Sequence, residues 1–148
     1  MFKESIKMLG TLNVFLTDQF GAIKVDENYS NLVVQSGKEF IAKRMIGTSV
    51  GTMSYLAIGT GTNTPINTDI ILQHEVVRSP LQSASVSANT VTYVSYFAPG
   101  AGTGAITEAG IFNSDTVDQG SMLCRTVFPV VNKEAGDTLT ITWNVSPN

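Results

Sequence analysis

The sequence predicts an all-β protein, mainly antiparallel, folded as a β-sandwich or barrel with one short helix near residues 37–46. Three observations predict this fold class. Residues 138–145 alternate strictly between apolar and polar side chains, which is typical of a half-buried strand. Several other short segments are rich in β-branched and aromatic residues, and turn residues separate them about every ten positions. Only one segment spaces its apolar residues like a helix.

The length of 148 residues predicts a single domain over residues 1–148, since domains cluster at roughly 100–150 residues. Within it we expect an N-terminal segment and hairpin over residues 1–30, a helix region over residues 31–47 and a β-sandwich over residues 48–148. A chain of this size buries about two-thirds of its unfolded surface. It therefore needs neither a disulfide nor a metal ion to fold.

Residues 11–26 predict a hairpin at the start of the domain. Residues 11–17 place three apolar side chains on one face of a strand. Asp18-Gln19-Phe20-Gly21 follows as a turn, because Asp and Gly are favoured at turn positions. Residues 22–26 then alternate again and predict the returning strand.

The single helix is predicted over residues 37–46. Ser36 and Glu39 fit a capping box, in which Ser36 accepts a bond from a first-turn N–H and Glu39 reaches back. Gly47 supplies the left-handed residue that ends a helix. Between them lies an apolar stripe at helical spacing, formed by Phe40, Ile41 and Met45. A helix this short is unstable alone in water, so we expect it to pack on a sheet.

All of the chain after Gly47 is predicted as strands and loops. Glycine and proline mark two loops, over residues 59–65 and 99–104. The strands are expected at residues 54–59, 75–79, 81–87, 90–97, 106–112, 122–127 and 138–145.

The low charge of the chain excludes some classes of function. Only 14% of the residues are charged and the formal net charge is −3, so the chain has no strongly basic surface for a nucleic-acid duplex. It also has no apolar run long enough to span a bilayer. We therefore expect neither nucleic acid nor a membrane as a partner. The single cysteine, Cys124, lies in an apolar run and is predicted to be a buried, inert residue.

The sequence lacks the residue patterns of catalysis, so we expect no enzyme, no cofactor and no metal site. His74 is the only histidine, and no nucleophile motif accompanies it. The glycine-rich segments 59–61 and 100–104 match neither the dinucleotide-binding nor the phosphate-loop spacing, and are interpreted as turns.

Glu108 is the most unusual titratable residue, because it lies alone among apolar neighbours in a predicted strand. A carboxylate buried there needs a partner of opposite charge. Arg78 and Arg125 also lie in apolar, strand-like segments. We interpret these three residues as candidates for a structural salt bridge that joins two strands.

Residues 79–114 contain a single charged residue, Glu108, and are otherwise rich in Ser, Thr, Ala, Gly, Val and aromatic residues. Free monomers commonly protect edge strands with charges or proline. A neutral, hydroxyl-rich surface suits close contact with a neighbouring chain, since hydroxyls are cheaper to desolvate than charges. The segment therefore predicts self-association, and the alternative is a plain exposed sheet rich in Ser and Thr. The candidate contact residues are Ser85, Tyr93, Ser95 and Tyr96.

A series of short motifs runs from Gly59 to Trp143 in a fixed order. The motifs are Gly59-x-Gly61, Leu72-x-x-Glu75-x-x-Arg78, Glu108-x-Gly110-Ile111-Phe112, Met122-Leu123-Cys124-Arg125 and Gly136 to Trp143. Over roughly residues 31–145 the chain resembles small virion proteins of tailed bacteriophages. The series is similar to the N-terminal attachment domains of phage tail-collar fibres.

The resemblance implies a virion structural protein without enzymatic activity. A fibre would continue beyond Asn148 into a shaft, whereas a stand-alone chain of this length resembles the trimeric decoration (cement) proteins of capsid surfaces. We therefore expect a homotrimer that binds the major capsid protein, lies on the particle surface and is made in the host cytoplasm. The alternative is a tail component, either a fibre adaptor or a small receptor-binding module that contacts host glycans. A small hydrolase or lectin-like accessory is the weakest alternative.

Overall fold

The computed structural model describes residues 4–148, which form ten strands and one helix. The strands are antiparallel throughout the described ladders, and they form two five-stranded sheets. In chain order the elements are β1 (Met8–Thr17), β2 (Ile23–Ser30), β3 (Leu32–Val33), α1 (Gln35–Met45), β4 (Tyr55–Gly59), β5 (Glu75–Pro80), β6 (Ser83–Ser87), β7 (Thr90–Phe97), β8 (Gly104–Phe112), β9 (Met122–Lys133) and β10 (Thr138–Pro147).

The two sheets have separate strand orders and share one core, as the predicted all-β sandwich requires. The first sheet has the order β2-β1-β10-β7-β6, and the second has the order β3-β9-β8-β4-β5. The core between them takes side chains from both sheets, including the fully buried Trp143, Phe97, Ile58 and Ile111. Burial of these apolar side chains is the main stabilising contribution to such a fold.

The alternation of β10 is confirmed residue by residue. Leu139, Ile141, Trp143 and Val145 are buried, and the residues between them are not. β10 lies in the centre of the first sheet, between β1 and β7. A central strand with one face on the core has the clean period of two that the sequence displays.

The hairpin is confirmed, and it belongs to the sandwich rather than preceding it. β1 pairs with β2, and it also pairs with β10 over its whole length, from Met8 opposite Pro147 to Thr17 opposite Thr138. The prediction that residues 1–30 and 31–47 precede a sandwich that begins at residue 48 is therefore wrong, because β1 and β2 belong to the first sheet and β3 to the second. The sequence does not predict that β1 pairs with β10, because the alternation of side chains within a strand does not indicate which strand lies beside it.

The helix is present, but its predicted N-terminal capping box is wrong. The helix begins at Gln35, and its N-cap residue, Val34, makes no side-chain capping bond. Ser36 lies inside the first turn and donates its hydroxyl to the Met122 carbonyl oxygen at 2.7 Å. Glu39 instead accepts a bond from the Gln35 side chain. The β9 backbone lies so close to this turn that it offers Ser36 a better partner than the helix does.

The close approach of α1 to β9 also explains a glycine in the first turn. A Cβ at Gly37 would collide with the backbone of Leu123. The predicted end of the helix is confirmed: Gly47 has φ of 71°, and the N–H of Thr48 bonds the carbonyl of Lys43, as in a Schellman motif. Phe40 and Ile41 pack against the core, as the predicted stripe requires, whereas Met45 is 80% exposed.

Candidate functional site

Glu108 is fully buried in β8, where its carboxylate accepts five hydrogen bonds. Three come from backbone N–H groups, at 2.9 Å from Gly61, 3.0 Å from Gln73 and 2.7 Å from His74. The other two come from Arg125, whose Nη2 lies 2.8 Å and whose Nε lies 3.2 Å from the same carboxylate oxygen. Of the two arginines proposed as partners of Glu108, Arg125 is therefore the one that forms the ion pair with it.

These donors keep Glu108 ionised. Burial alone would raise the pKa of the carboxyl, but the bonds from His74, Arg125, Gln73 and Gly61 outweigh burial and hold the pKa below its usual value. Every donor stabilises the charged form. The carboxylate is therefore a structural anion and not a group that exchanges protons near neutral pH.

Arg125 extends from Glu108 to the long loop of residues 60–74. Its Nη1 lies 2.9 Å from the Asp69 carboxylate, and its Nη2 lies 2.6 Å from the side-chain oxygen of Asn63. The Thr107 hydroxyl adds a bond of 2.7 Å to the carbonyl of Gly61. A 15-residue loop without helix or strand is long for a compact domain. The Glu108–Arg125 pair holds this loop in place.

Arg78 forms a second ion pair, with Glu75 and not with Glu108. Its Nε and Nη2 each lie 2.7 Å from a different oxygen of Glu75, and its guanidinium lies 4.1 Å from the centre of the Phe112 ring. Both side chains of the pair are almost fully buried. Arg78 also donates to the carbonyl of Ser114, so the pair joins β5 to the end of β8.

Four of the five short sequence motifs meet at this end of the second sheet, whereas most of the fifth, Gly136 to Trp143, lies in β10 of the first sheet. A Cβ at Gly61 would lie 2.5 Å from the Glu108 carboxylate, and a Cβ at Gly59 would collide with the His74 carbonyl. Leu72 packs against Gly110. The two glycines, the Leu-Glu-Arg motif, the Glu-Gly-Ile-Phe motif and Arg125 thus form one set of contacts, which we call the loop clamp.

The loop clamp has the chemistry of a structural element. The polar atoms of Glu108, Arg125 and Thr107 are used in bonds within the chain. Within residues 4–148 no group of three or more His, Cys, Asp or Glu side chains is arranged to hold a metal ion. Cys124 is buried beside it, and burial raises the pKa of its thiol well above the usual value. That cysteine therefore stays protonated.

The four residues predicted to mediate self-association divide into two pairs. Ser85 and Tyr96 are exposed. Tyr93 and Ser95 are buried in the sandwich, so the prediction is wrong for them: burial raises the pKa of Tyr93 to about 12, and the Ser95 hydroxyl donates to the Pro80 carbonyl. On β7 the odd-numbered residues from Tyr93 onward face the core. The amino-acid composition of a segment does not show which of its residues lie on the buried face of a strand.

The neutral segment 79–114 is likewise divided between the two sheets. Its last part, β8, is buried in the second sheet from Ile106 to Phe112 and is not available for contact. Its first part forms β6 and β7, which join β1 and β10 in the first sheet. None of these four adjacent strands contains a charged residue.

We call the outward side of β1, β10, β7 and β6 the neutral face. It consists mainly of hydroxyl and amide side chains in register across the strands, as in the row Thr11, Asn144, Thr92 and Ser85. The Thr92 hydroxyl donates to the Asn144 side chain at 2.7 Å. The sequence did not predict that β1 and β10 belong to this face, although neither strand carries a charge. Their position beside β7 depends on pairing between distant parts of the chain.

The two edges of the first sheet differ in charge. β2, at one edge, carries Lys24, Asp26 and Glu27. β6, at the other edge, is exposed over all five residues and carries only Ser, Ala and Val. Charges discourage pairing with another strand, and a bare edge permits it. The neutral face therefore continues to an unprotected edge on one side only.

No protein-family model matches the chain, and no curated protein or solved structure is significantly similar to it. Among the described residues, no helix is both long enough and apolar enough to cross a membrane. The resemblance to phage virion proteins stays a prediction.

Proposed function

We propose that this protein is a structural subunit of a bacteriophage virion, a homotrimeric decoration of the capsid that stabilises the shell by adhesion. The observation that carries the proposal is the neutral face, which spans four adjacent strands without a charged residue and reaches the bare edge of β6. A surface this poor in charge suits burial against another protein better than permanent contact with water.

The energetic argument is one of desolvation. Burying an unpaired charge in an interface is far more costly than burying a hydroxyl, which can exchange a water bond for a protein bond. The Thr, Ser and Asn side chains of the neutral face are able to make such exchanges. Charged residues are also depleted from the cores of protein interfaces.

The loop clamp supports the attribution to virion proteins in a different way. Four of the five motifs similar to those of tail-collar attachment domains form one set of structural contacts, which holds one end of the sandwich together. Motifs with a structural role favour an architecture shared with those attachment domains.

The proposed partners are other copies of the chain and the major capsid protein. We propose no nucleic acid, membrane or cofactor as a partner. The proposed location is the particle surface, after synthesis in the host cytoplasm.

Light scattering during size exclusion tests the assembly. We expect a mass of about three times 15.8 kDa. Ser85→Lys places a charge on the exposed β6 strand and should reduce the mass toward that of a monomer. Thr64→Lys is the matched control, because it makes a similar change at an exposed residue of the loop. A Ser85→Lys protein that assembles like wild type would show that the β6 part of the neutral face is not buried.

The copy number per particle tests the location. A capsid decoration is present in hundreds of copies, whereas a tail component is present in a few to a dozen. Quantitative mass spectrometry or cryo-microscopy of purified particles separates the two. A low copy number would exclude the capsid and leave the tail.

The second candidate, a fibre adaptor or small receptor-binding module of the tail, is favoured by two exposed aromatic side chains. Phe20 is 86% exposed in the β1–β2 turn, and Tyr96 is 47% exposed on the neutral face. Aromatic rings of this kind stack on sugars, which suits contact with host glycans. Binding of the purified protein to host cells, lost in a Tyr96→Ala variant, would support this role.

A further inference from the structure

An apolar projection with a rigid base lies at the turn between β1 and β2. Phe20 is 86% exposed and Ile23 is 63% exposed. The Asp18 carboxylate accepts bonds from the N–H groups of Phe20 and Ala22 at 2.8 and 2.9 Å, and Gly21 has φ of 81°. A turn tied in this way holds its side chains outward. We call Phe20 and Ile23 the hairpin knob.

The surroundings of the hairpin knob are mainly acidic. A shallow depression beside Phe20 is lined by Asp18, Glu134 and Asp137. Lys24 lies 2.6 Å from the buried Asp137 and 3.5 Å from Glu134, so one cation is shared between two of these three carboxylates. Asp18 and the exposed Glu134 remain to face a partner. The other cation nearby, Lys133, is buried and donates to the Ala98 carbonyl.

A matching depression lies at the opposite end of the sandwich, between α1 and the first sheet. It has a volume of about 350 Å³ and is lined mainly by apolar side chains. A closed cavity of roughly 150 Å³ already holds a benzene ring, so this one has room for a phenylalanine. We call it the helix groove, and its main apolar residues are Met8, Phe40, Ile41, Val91, Tyr93 and Val145.

The rim of the helix groove is basic and apolar. Arg44 is the only charged residue that lines the groove within residues 4–148, and Lys43 precedes it in the last turn of α1. Met45 and Ile46 beside it are 80% and 84% exposed. The helix carries three basic residues and one acidic residue in a chain whose net charge is −3. The groove is therefore complementary in charge to the hairpin knob.

The knob cannot reach the groove of its own chain. β1 begins at Met8, which lines the groove, and ends at Thr17, next to the turn. Ten residues of strand separate the two by about 30 Å, at roughly 3.3 Å per residue. Both features are exposed on the single chain, and only a second copy can bring them together.

We propose that the hairpin knob of one copy inserts into the helix groove of the next, with Phe20 in the apolar cavity and the carboxylates of Asp18 and Glu134 beside Arg44. The contact is head-to-tail, because it joins two different surfaces, and a head-to-tail contact closes into a ring when the rotation between copies allows it. This inference rests on the proposed self-association and supplies an interface for the trimer.

Two variants and their mixture test this contact. Phe20→Asp disrupts the knob and leaves the groove intact, whereas Arg44→Glu reverses the charge of the groove and leaves the knob intact. Each side chain is exposed, so circular dichroism should show a folded protein in both cases. We expect each variant to self-associate at least about tenfold more weakly than wild type, since central aromatic and arginine residues dominate interfaces. Ile70→Asp, at another exposed apolar residue, is the control and should assemble normally.

The mixture distinguishes a head-to-tail contact from any symmetric one. Combined in equal amounts, the two variants have one intact interface between them, which should give a one-to-one dimer that grows no further. Failure of the mixture to form this dimer, or normal assembly of Phe20→Asp, would overturn the inference, as would a wild-type protein that stays monomeric at its solubility limit. If Phe20→Asp assembles normally while Ser85→Lys does not, the copies associate through the neutral face, and the proposed function survives without this contact.

Discussion

The two sheets of this protein treat charge in opposite ways. In the second sheet, two pairs of ionised residues, Glu108–Arg125 and Glu75–Arg78, are buried where strands meet loops. In the first sheet, four adjacent strands carry no charge on either face, and the outward one meets water. The difference shows that a chain with few charged residues uses four of them in buried ion pairs and leaves an exposed face of four strands neutral.

The two sheets differ in charge because their backbone hydrogen-bonding groups are satisfied in different ways. A loop of 15 residues has many backbone N–H groups without strand partners, and a buried carboxylate can accept several of them at once. The strands of the first sheet satisfy their own backbone groups through the ladder, except along the outer sides of the two edge strands, β2 and β6. Charges there would add little to the fold and would oppose contact with other chains.

The largest effect is expected when the cation of the loop clamp is removed. Arg125→Met leaves the Glu108 carboxylate buried without its counter-ion, and losing one partner of a buried pair typically costs about 3–5 kcal/mol. Urea unfolding measures the change in the free energy of unfolding. Lys38→Met is the control at an exposed cation of α1 and should stay within about 0.5 kcal/mol of wild type. Equal, small effects would show that the clamp is not structural.

A smaller loss is expected from one added methyl group in the clamp. The Cβ of Gly59→Ala would collide with the backbone carbonyl of His74, which cannot move without disturbing the bond from His74 to Glu108. Overpacking of this kind costs about 1–3 kcal/mol. Gly51→Ala is the control, because its Cβ would meet nothing closer than 3.7 Å. Thermal unfolding of both variants compares the two sites, and equal melting temperatures would contradict the close packing at Gly59.

The pH dependence of stability isolates the charge of Glu108. Because the folded state holds the pKa of Glu108 below its usual value, this residue stabilises the protein above the pKa of the unfolded chain, about 4.3. That contribution is lost as the pH falls from there through the lowered folded-state pKa. Urea unfolding should therefore show that the difference in the free energy of unfolding between wild type and Glu108→Gln becomes smaller as the pH falls from 7 to 3. The other acidic residues titrate in both proteins, and a difference of constant size would contradict this role.

The smallest effect is expected on the neutral face. Thr11→Lys adds a charge at an exposed position in the row that crosses β1 and β10. At low protein concentration, where copies are apart, its free energy of unfolding should match wild type within about 0.5 kcal/mol. A large loss of stability in the isolated chain would show that the face is neutral because the fold requires it, and not because copies contact one another there.

Prediction from sequence succeeded where the controlling physics is local. The period of β10, the hairpin, the helix and the left-handed Gly47 are each confirmed, since alternation and backbone preference act over a few residues. The same reasoning marked Glu108 as a buried anion in need of a cation. It did not distinguish Arg78 from Arg125, because that choice depends on which strands become neighbours.

The sequence by itself determined the class of fold, the positions of most strands, and the scarcity of charged residues. Only the tertiary structure decided which neutral strands share a face, that Tyr93 and Ser95 point inward, and that the capping serine bonds to β9 instead. The physical reason is the range of the interactions. Periodicity and turn preference are set by neighbouring residues, whereas the Glu108–Arg125 pair and the pairing of β1 with β10 join residues from 17 to more than a hundred positions apart.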